Sequence, residues 1–168
     1  MLPDGTFPMM LRDHGDKKLW QLPGGGIENI RTDSAQHIPL AADLYNTTIT
    51  ETIEELGWNP IPDKESPFSG WKQVCQIEVI TKSTDADYYF WKLRGIDADE
   101  VVSRYYFMLR RVDHMPELKL TEPDKFTKLA YVREGHLYED IPFVKGAQFA
   151  HGIEKAYVSL GLCLSEIK

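Results

Sequence analysis

The sequence is short of cysteine, of long apolar runs and of positive charge, and each shortage narrows the class of protein. Its 168 residues include only Cys75 and Cys163, too few for a disulfide framework and without metal-site spacing. No stretch approaches the ~18 consecutive apolar residues of a membrane span. Residues 1–10 also lack the basic region and apolar run of a signal peptide. We therefore expect a cytoplasmic protein without membrane contact.

The charge balance limits the partners further. A formal net charge of -7 provides no overall basic surface for gripping a long nucleic acid. A small anionic ligand remains compatible with this acidity, because a bound cation reverses the local field around a carboxylate cluster. We expect a small-molecule partner rather than DNA or RNA, and leave open whether the chain forms a homodimer.

The composition is that of an ordinary globular protein, with 42% hydrophobic and 27% charged residues and no internal repeat. One domain over residues 1–168 suffices. Local patterns predict a strand pair, a helix over Ala41–Leu56 ended by Gly57, several later strands and a closing helix. The strands are expected at residues 7–11, 19–22, 73–81, 87–94, 104–112 and 127–132, the closing helix at 147–162, and loops at 59–67 and 113–125. This order predicts an α/β fold with a mixed sheet covered on both faces.

Three carboxylates stand out on the first predicted helix. Its residues Ala42, Tyr45, Ile49, Thr52, Ile53 and Leu56 recur at helical spacing. Glu51, Glu54 and Glu55 then fall in one sector opposite the stripe formed by Ile49, Ile53 and Leu56. Like charges so placed repel by a few tenths of a kcal/mol per pair, so the arrangement favours a compensating cation. Magnesium is the natural candidate, with manganese as a substitute, while a plain solvated acidic face is the alternative.

The surroundings of these carboxylates resemble a known motif. Residues 20–28 read WQLPGGGIE and residues 51–58 read ETIEELGW. Together they resemble the two halves of the Nudix box, G-x5-E-x7-R-E-U-x-E-E-x-G-U, in which U is a bulky apolar residue. The resemblance implies an α/β/α sandwich with a loop-helix-loop catalytic motif. It also implies a hydrolase of the pyrophosphatase type that acts on nucleoside diphosphates linked to another group.

The resemblance also implies roles for the box residues. By position, Glu54 and Glu55 match the principal metal ligands, and Glu51 matches a further ligand or the base that activates water. A backbone carbonyl of the glycine loop, assigned to Gly25, would join the metal shell. Gly24 and Gly26 would let the backbone approach the phosphates of the substrate.

Two residues outside the box complete the candidate site. Glu122 precedes the predicted strand at 127–132 and matches an additional acid that family members take from a late loop, as a base or metal ligand. Arg12 is the candidate for clamping a substrate phosphate, although Arg104, Arg110 and Arg111 offer the same chemistry.

The sequence departs from the box in its middle. Counted from Gly25, the box would end at position 47, whereas the matching apolar residue is Trp58, 11 positions later. An insertion at residues 29–40 accounts for this, and we expect it to lie over the cleft and to shape substrate choice. The first box glutamate then has only Glu28, Asp33 and Asp43 as candidates. Thr50 replaces the box arginine and cannot reproduce its charge-assisted contact.

Three functions fit these observations. The leading one is a magnesium-dependent pyrophosphohydrolase, and the alternative is a nucleotide-binding module with weak or no catalysis. An isomerase of prenyl diphosphates ranks third, because it needs a catalytic cysteine and Cys75 begins no such motif. The substrate stays open among nucleotide sugars, ADP-ribose, dinucleoside polyphosphates, oxidised nucleoside triphosphates and capped RNA ends.

Overall fold

The central feature of the fold is a four-stranded mixed sheet. The computed structural model describes residues 1–14, 17–27, 40–61, 70–85, 95, 98–150, 152–154 and 156–158. In this sheet, β1 (Thr6–His14) lies between β2 (Lys17–Gln21) and β5 (Phe126–Arg133), antiparallel to both. A short strand, β6 (Ala147–Phe149), pairs with β2 in parallel and gives the order β5-β1-β2-β6. The predicted strand pair at the start of the chain and the strand at 127–132 are thus confirmed.

A second sheet consists of two long antiparallel strands. β3 (Trp71–Lys82) pairs with β4 (Glu100–Arg110) in a register that runs from Trp71 opposite Arg110 to Lys82 opposite Glu100. These strands match the predictions for residues 73–81 and 104–112. Between β4 and β5, residues 111–125 form no helix or strand, as predicted for the loop at 113–125.

Helix α1 spans Ala41–Leu56, as predicted. At its start, the Asp43 side chain accepts a hydrogen bond from the Leu40 N–H at 3.2 Å, which satisfies one backbone donor beside the first turn. At its end, Gly57 adopts φ 63° and its N–H donates to the Ile53 carbonyl at 3.0 Å. Left-handed backbone of this kind favours glycine and explains why the helix ends there.

Both faces of the four-stranded sheet are covered. On β1, Phe7, Met9 and Leu11 belong to one apolar cluster, which also contains Leu137 of the short helix α2 (Leu137–Asp140) and Tyr157. Met10, between them in sequence, points to the opposite face and packs in a second cluster with Leu56 of α1 and Phe126. Period-2 alternation along β1 therefore divides the core into two layers.

The closing helix predicted at residues 147–162 is wrong at its start. Ala147–Phe149 is strand β6, and helical residues begin after Gly152, which has φ 78°. The apolar spacing of this segment continues through the strand, so periodicity alone did not reveal the break, whereas pairing with β2 decides the conformation. No helix in the described ranges combines the length and hydropathy that crossing a membrane requires.

Several sequence predictions lie outside the described residues. These are the strand at 87–94, the insertion at 29–40 apart from Leu40, residues 62–67 of the loop at 59–67, and the end of the closing helix.

Candidate active site

The end of α1 is held by the segment that precedes β5. The Lys119 N–H donates to the Leu56 carbonyl at 3.0 Å, and the Thr121 N–H donates to the Glu55 carbonyl at 3.2 Å. The Thr121 hydroxyl in addition donates to the Glu54 carbonyl. With the bond from Gly57 to Ile53, the last four carbonyls of the helix have partners. This capping places the neighbouring residue Glu122 beside the carboxylates of α1.

The glycine loop contacts the same carboxylates from the other side. The Gly24 N–H donates to Glu55 Oε2 at 2.9 Å. The Glu51 carboxylate lies directly against Gly25, so that a Cβ atom at this position would overlap it. Gly24 and Gly26 have open space where a Cβ would lie, and neither has positive φ. A glycine is therefore what lets Glu51 approach this closely, and among the three glycines this applies only to Gly25.

Glu55 is the most unusual ionisable group of this cluster. Its side chain is only 4% exposed, and burial raises its pKa to about 8. The charges of Glu51 and Glu122 contribute to this rise, whereas the Gly24 N–H and the Lys125 ammonium oppose it. Three acidic side chains thus act on one another around a buried carboxyl group.

The three helix carboxylates, predicted to lie together on a face opposite the apolar stripe, differ in exposure. Glu55 is buried, Glu51 is half-buried and Glu54 is exposed. Glu55 follows Leu44 by 11 residues, which is close to three full turns, so it has nearly the bearing of that buried leucine. Ile53, expected on the buried stripe, is 41% exposed. The buried face is therefore rotated toward Glu55.

Two threonines allow this rotation of the buried face. The Thr52 hydroxyl donates to the Thr48 carbonyl at 2.7 Å, and the Thr48 hydroxyl donates to the Leu44 carbonyl at 2.8 Å. Bonds of this kind satisfy a hydroxyl within its own helix. Thr52 can accordingly be buried, which explains how it occupies a position that the box usually gives to a larger apolar residue.

Two cationic side chains lie beside the acidic cluster. Lys125 Nζ is 2.5 Å from Glu122 Oε1. Arg12 lies on β1 opposite Phe126, and its charge acts on Lys125. The structure thus brings Arg12, Glu51, Glu55, Glu122 and the glycine loop into one region, with Glu54 at its exposed margin.

Comparison with known proteins identifies the fold. No protein-family profile matches the chain, and no curated protein matches its sequence. The crystal structure of a MutT Nudix hydrolase from Burkholderia pseudomallei superimposes with a TM-score of 0.53 at 16% identity, covering 94% of this chain and 89% of that one. The chain has a Nudix-like fold. The α/β/α class expected from the sequence is confirmed. The chemistry has to be inferred from the residues of the site, since this similarity concerns the fold.

In this Nudix-like fold, the acidic cluster suits a hard cation by its donor chemistry. Carboxylate and carbonyl oxygens are the ligands that magnesium prefers. Glu51 and Glu55 offer two carboxylates beside the glycine loop, and burial of Glu55 raises its pKa. In the described part of the chain, no three acidic, histidine or cysteine side chains stand close enough to form a ready metal site. Some side-chain movement would therefore accompany binding.

Neither the described candidate for the first box glutamate nor the residue that replaces the box arginine belongs to the acidic cluster. Asp43, a candidate for the first box glutamate, is engaged at the start of α1. It precedes Glu51 by eight residues, or about 12 Å along the axis, and so lies away from the cluster. The other two candidates, Glu28 and Asp33, are outside the described residues. Thr50, which replaces the box arginine, is exposed.

The sequence analysis did not single out Lys125 or Thr121. Thr121 caps the end of α1 by hydrogen bonds to two of its carbonyls. These contacts are long-range in sequence, so no local pattern predicts them. Lys125 follows Glu122 by three residues, a spacing that brings the two side chains together once the intervening residues form a turn. That acid-base spacing beside Pro123 was the available signal.

Proposed function

We propose that this protein is a magnesium-dependent pyrophosphohydrolase that cleaves a diphosphate linkage in a nucleoside diphosphate derivative. One observation carries the proposal: Glu55, buried against the Gly24 N–H, has Glu51 and Glu122 as acidic neighbours. A buried carboxylate with acidic neighbours is costly unless a cation compensates its charge. A diphosphate supplies oxygens that complete the coordination of magnesium.

The residues of the chain divide the work in this proposal. Glu55, once ionised, would hold the cation together with Glu51, while the Gly24 N–H keeps the Glu55 carboxylate in place. Glu54, exposed at the margin, would supply a further ligand. Glu51 or Glu122 accepts the proton of the attacking water. A bound magnesium ion would neutralise the charge that develops on the phosphate.

The cationic side of the site serves the phosphates. Arg12 lies on β1 two residues after Met10, and its charge acts on Lys125. A guanidinium in this position is suited to binding phosphate oxygens in pairs. We therefore assign Arg12 to binding a phosphate group of the substrate.

A panel of substrates tests the proposal. Nucleotide sugars, ADP-ribose, dinucleoside polyphosphates, oxidised nucleoside triphosphates and capped RNA are each incubated with magnesium, and released phosphate or monophosphate is measured. We expect turnover of at least one compound, abolished by EDTA and by Glu55→Gln, and poorly supported by calcium because of its size and looser geometry. An undiminished rate after exhaustive EDTA treatment would refute the metal mechanism.

A nucleotide-binding module is the second candidate. It is favoured by Thr50, which cannot make the contact of the box arginine. It is favoured as well by the lack, within the described ranges, of three side chains already gathered as a metal site. Tight binding of a nucleotide by calorimetry, with no product formed over days at high enzyme concentration, would support this candidate instead.

A further inference from the structure

Lys125 is fixed by its backbone at the edge of the acidic cluster. Its N–H donates to the Glu122 carbonyl at 3.0 Å, and its own carbonyl accepts from the Asp13 N–H at 3.1 Å. The first bond closes a turn around Pro123, and the second ties this turn to β1. The fold therefore fixes the backbone of Lys125 beside Glu122 and β1. Its exposed side chain is long and flexible and can still change direction.

The ammonium group of Lys125 is a counter-ion of the cluster. It pairs with Glu122 Oε1 at 2.5 Å, and the charge of Glu55 acts on it too. The Lys125 and Glu122 side chains are 53% and 30% exposed, so water screens the pair. Ion pairs of this exposure are weak, and a stronger ligand for either partner separates them easily.

A positive charge at this place has opposite effects on two ligands. It competes with a divalent cation for the carboxylates, because it already neutralises Glu122. It attracts a diphosphate, because Lys125 adds a positive charge beside that of Arg12, which is near enough to act on it. Arg12 Nε is buried without a hydrogen-bond partner among the described residues, which leaves a donor for such an anion.

We propose that Lys125 changes partner during the binding cycle. It neutralises Glu122 while the carboxylates hold no cation, and it turns to a phosphate of the ligand once a divalent cation takes its place. This inference rests on the proposed function, since it takes the acidic cluster to be the metal site. It makes Lys125 a built-in competitor of the metal and a contributor to diphosphate binding.

Measurements of both affinities test the proposal. Lys125→Gln and the control Lys128→Gln each remove one exposed lysine of the same region, but only the first removes a partner of Glu122. The Mn²⁺ affinity is obtained from the concentration of free Mn²⁺, measured by electron paramagnetic resonance. The affinity for imidodiphosphate at saturating Mn²⁺ is measured by calorimetry. For Lys125→Gln we expect Mn²⁺ affinity about two- to fivefold higher and imidodiphosphate affinity about tenfold lower. Lys128→Gln should resemble the parent in both.

The outcomes separate this inference from the proposed function. If Lys125→Gln binds Mn²⁺ no more tightly than Lys128→Gln, or if both affinities change in the same direction, the exchange of partners is refuted. Glu51→Gln and Glu55→Gln address the metal site itself. Loss of Mn²⁺ binding in these two variants, with no effect of Lys125→Gln, would leave the proposed function standing and remove only the role of Lys125.

Discussion

At the scale of single residues, the three glycines of the loop at residues 24–26 have different structural roles. Gly24 contributes its N–H to Glu55, whereas Gly25 provides the space that Glu51 occupies. A run of three glycines suggests general backbone freedom, yet none of the three has positive φ. The contact with Glu51 is long-range in sequence, which is why the motif indicated a close approach without identifying the group that approaches.

Gly25→Ala should therefore damage the metal site, whereas Gly26→Ala should not. The added Cβ at Gly25 must displace the Glu51 carboxylate, while the same atom at Gly26 meets open space. We expect the Mn²⁺ dissociation constant of Gly25→Ala to rise at least about tenfold, as for other disturbances of metal ligands. The melting temperature should hardly change in either variant, because Glu51 can move. Equal Mn²⁺ affinities in the two variants would contradict the contact.

The buried carboxyl group of Glu55 predicts an unusual dependence of stability on pH. Its pKa is raised from 4.5 to about 8 in the folded protein. Between these values, the folded state binds a proton that the unfolded state has lost, so the free energy of unfolding of the metal-free protein falls as pH rises. Glu55→Gln cannot titrate, and its stability relative to the parent should increase across this window by a few kcal/mol in order of magnitude.

Urea unfolding in EDTA at several pH values measures this difference. The matched control is Glu54→Gln, which removes an exposed carboxylate one residue away. Its stability should follow the parent at each pH. Stability curves of Glu55→Gln and parent that stay parallel from pH 5 to pH 9 would show that Glu55 ionises normally.

At the scale of elements, helix α1 was predicted well in its bounds and less well in its orientation. Spacing and Gly57 located Ala41–Leu56, because these signals are local. The buried face was misjudged by taking isoleucine as the guide, since Ile53 is exposed while Glu55 is buried; Thr52 is buried, as its spacing indicated. Burial of the two polar residues depends on partners that spacing does not reveal: the Thr48 carbonyl and the Gly24 N–H.

The rotated face of α1 gives a paired test. Ile49 is 9% exposed and Ile53 is 41% exposed, although both were expected on the same stripe. Ile49→Ala should lower the free energy of unfolding by ~2–5 kcal/mol through lost burial and a residual cavity. Ile53→Ala should cost less than about 1 kcal/mol. Chemical denaturation of the two variants in metal-free buffer measures both, and equal losses would restore the orientation expected from the sequence.

Strand β6 shows a second limit of local patterns. Residues 147–149 continue the apolar spacing of the helical segment after Gly152, and nothing local separates them apart from Gly152 itself. They form a strand because β2 offers an edge, with Leu19 opposite Gln148. Long-range pairing of this kind overrides intrinsic preference, as is common for short edge strands.

At the scale of the whole molecule, the site exists only where three distant segments meet. The glycine loop follows β2, the carboxylates end α1, and Glu122 with Lys125 precedes β5. The sheet order places β2 and β5 on either side of β1, and the end of α1 packs there through Leu56, against Met10 and Phe126. The sequence could indicate each of the three segments as part of a site. That they lie close together in space depends on the hydrogen bonds that cap α1.

This convergence predicts that metal binding stabilises the entire fold and does so most strongly at alkaline pH. Each carboxylate must be ionised to hold the cation, and Glu55 loses its proton only around pH 8. With magnesium at about 100 times its dissociation constant at pH 9, linkage adds about 2.7 kcal/mol. For a chain of this size, that corresponds to roughly 5–10 °C in melting temperature. At pH 6 the same magnesium concentration should give a much smaller rise, because protonation of Glu55 opposes binding.

Glu55→Gln should show little rise at either pH, and calcium should stabilise the parent even where it supports turnover poorly. A magnesium-induced rise that is equal at pH 6 and pH 9, or that survives Glu55→Gln, would place the metal elsewhere in the molecule.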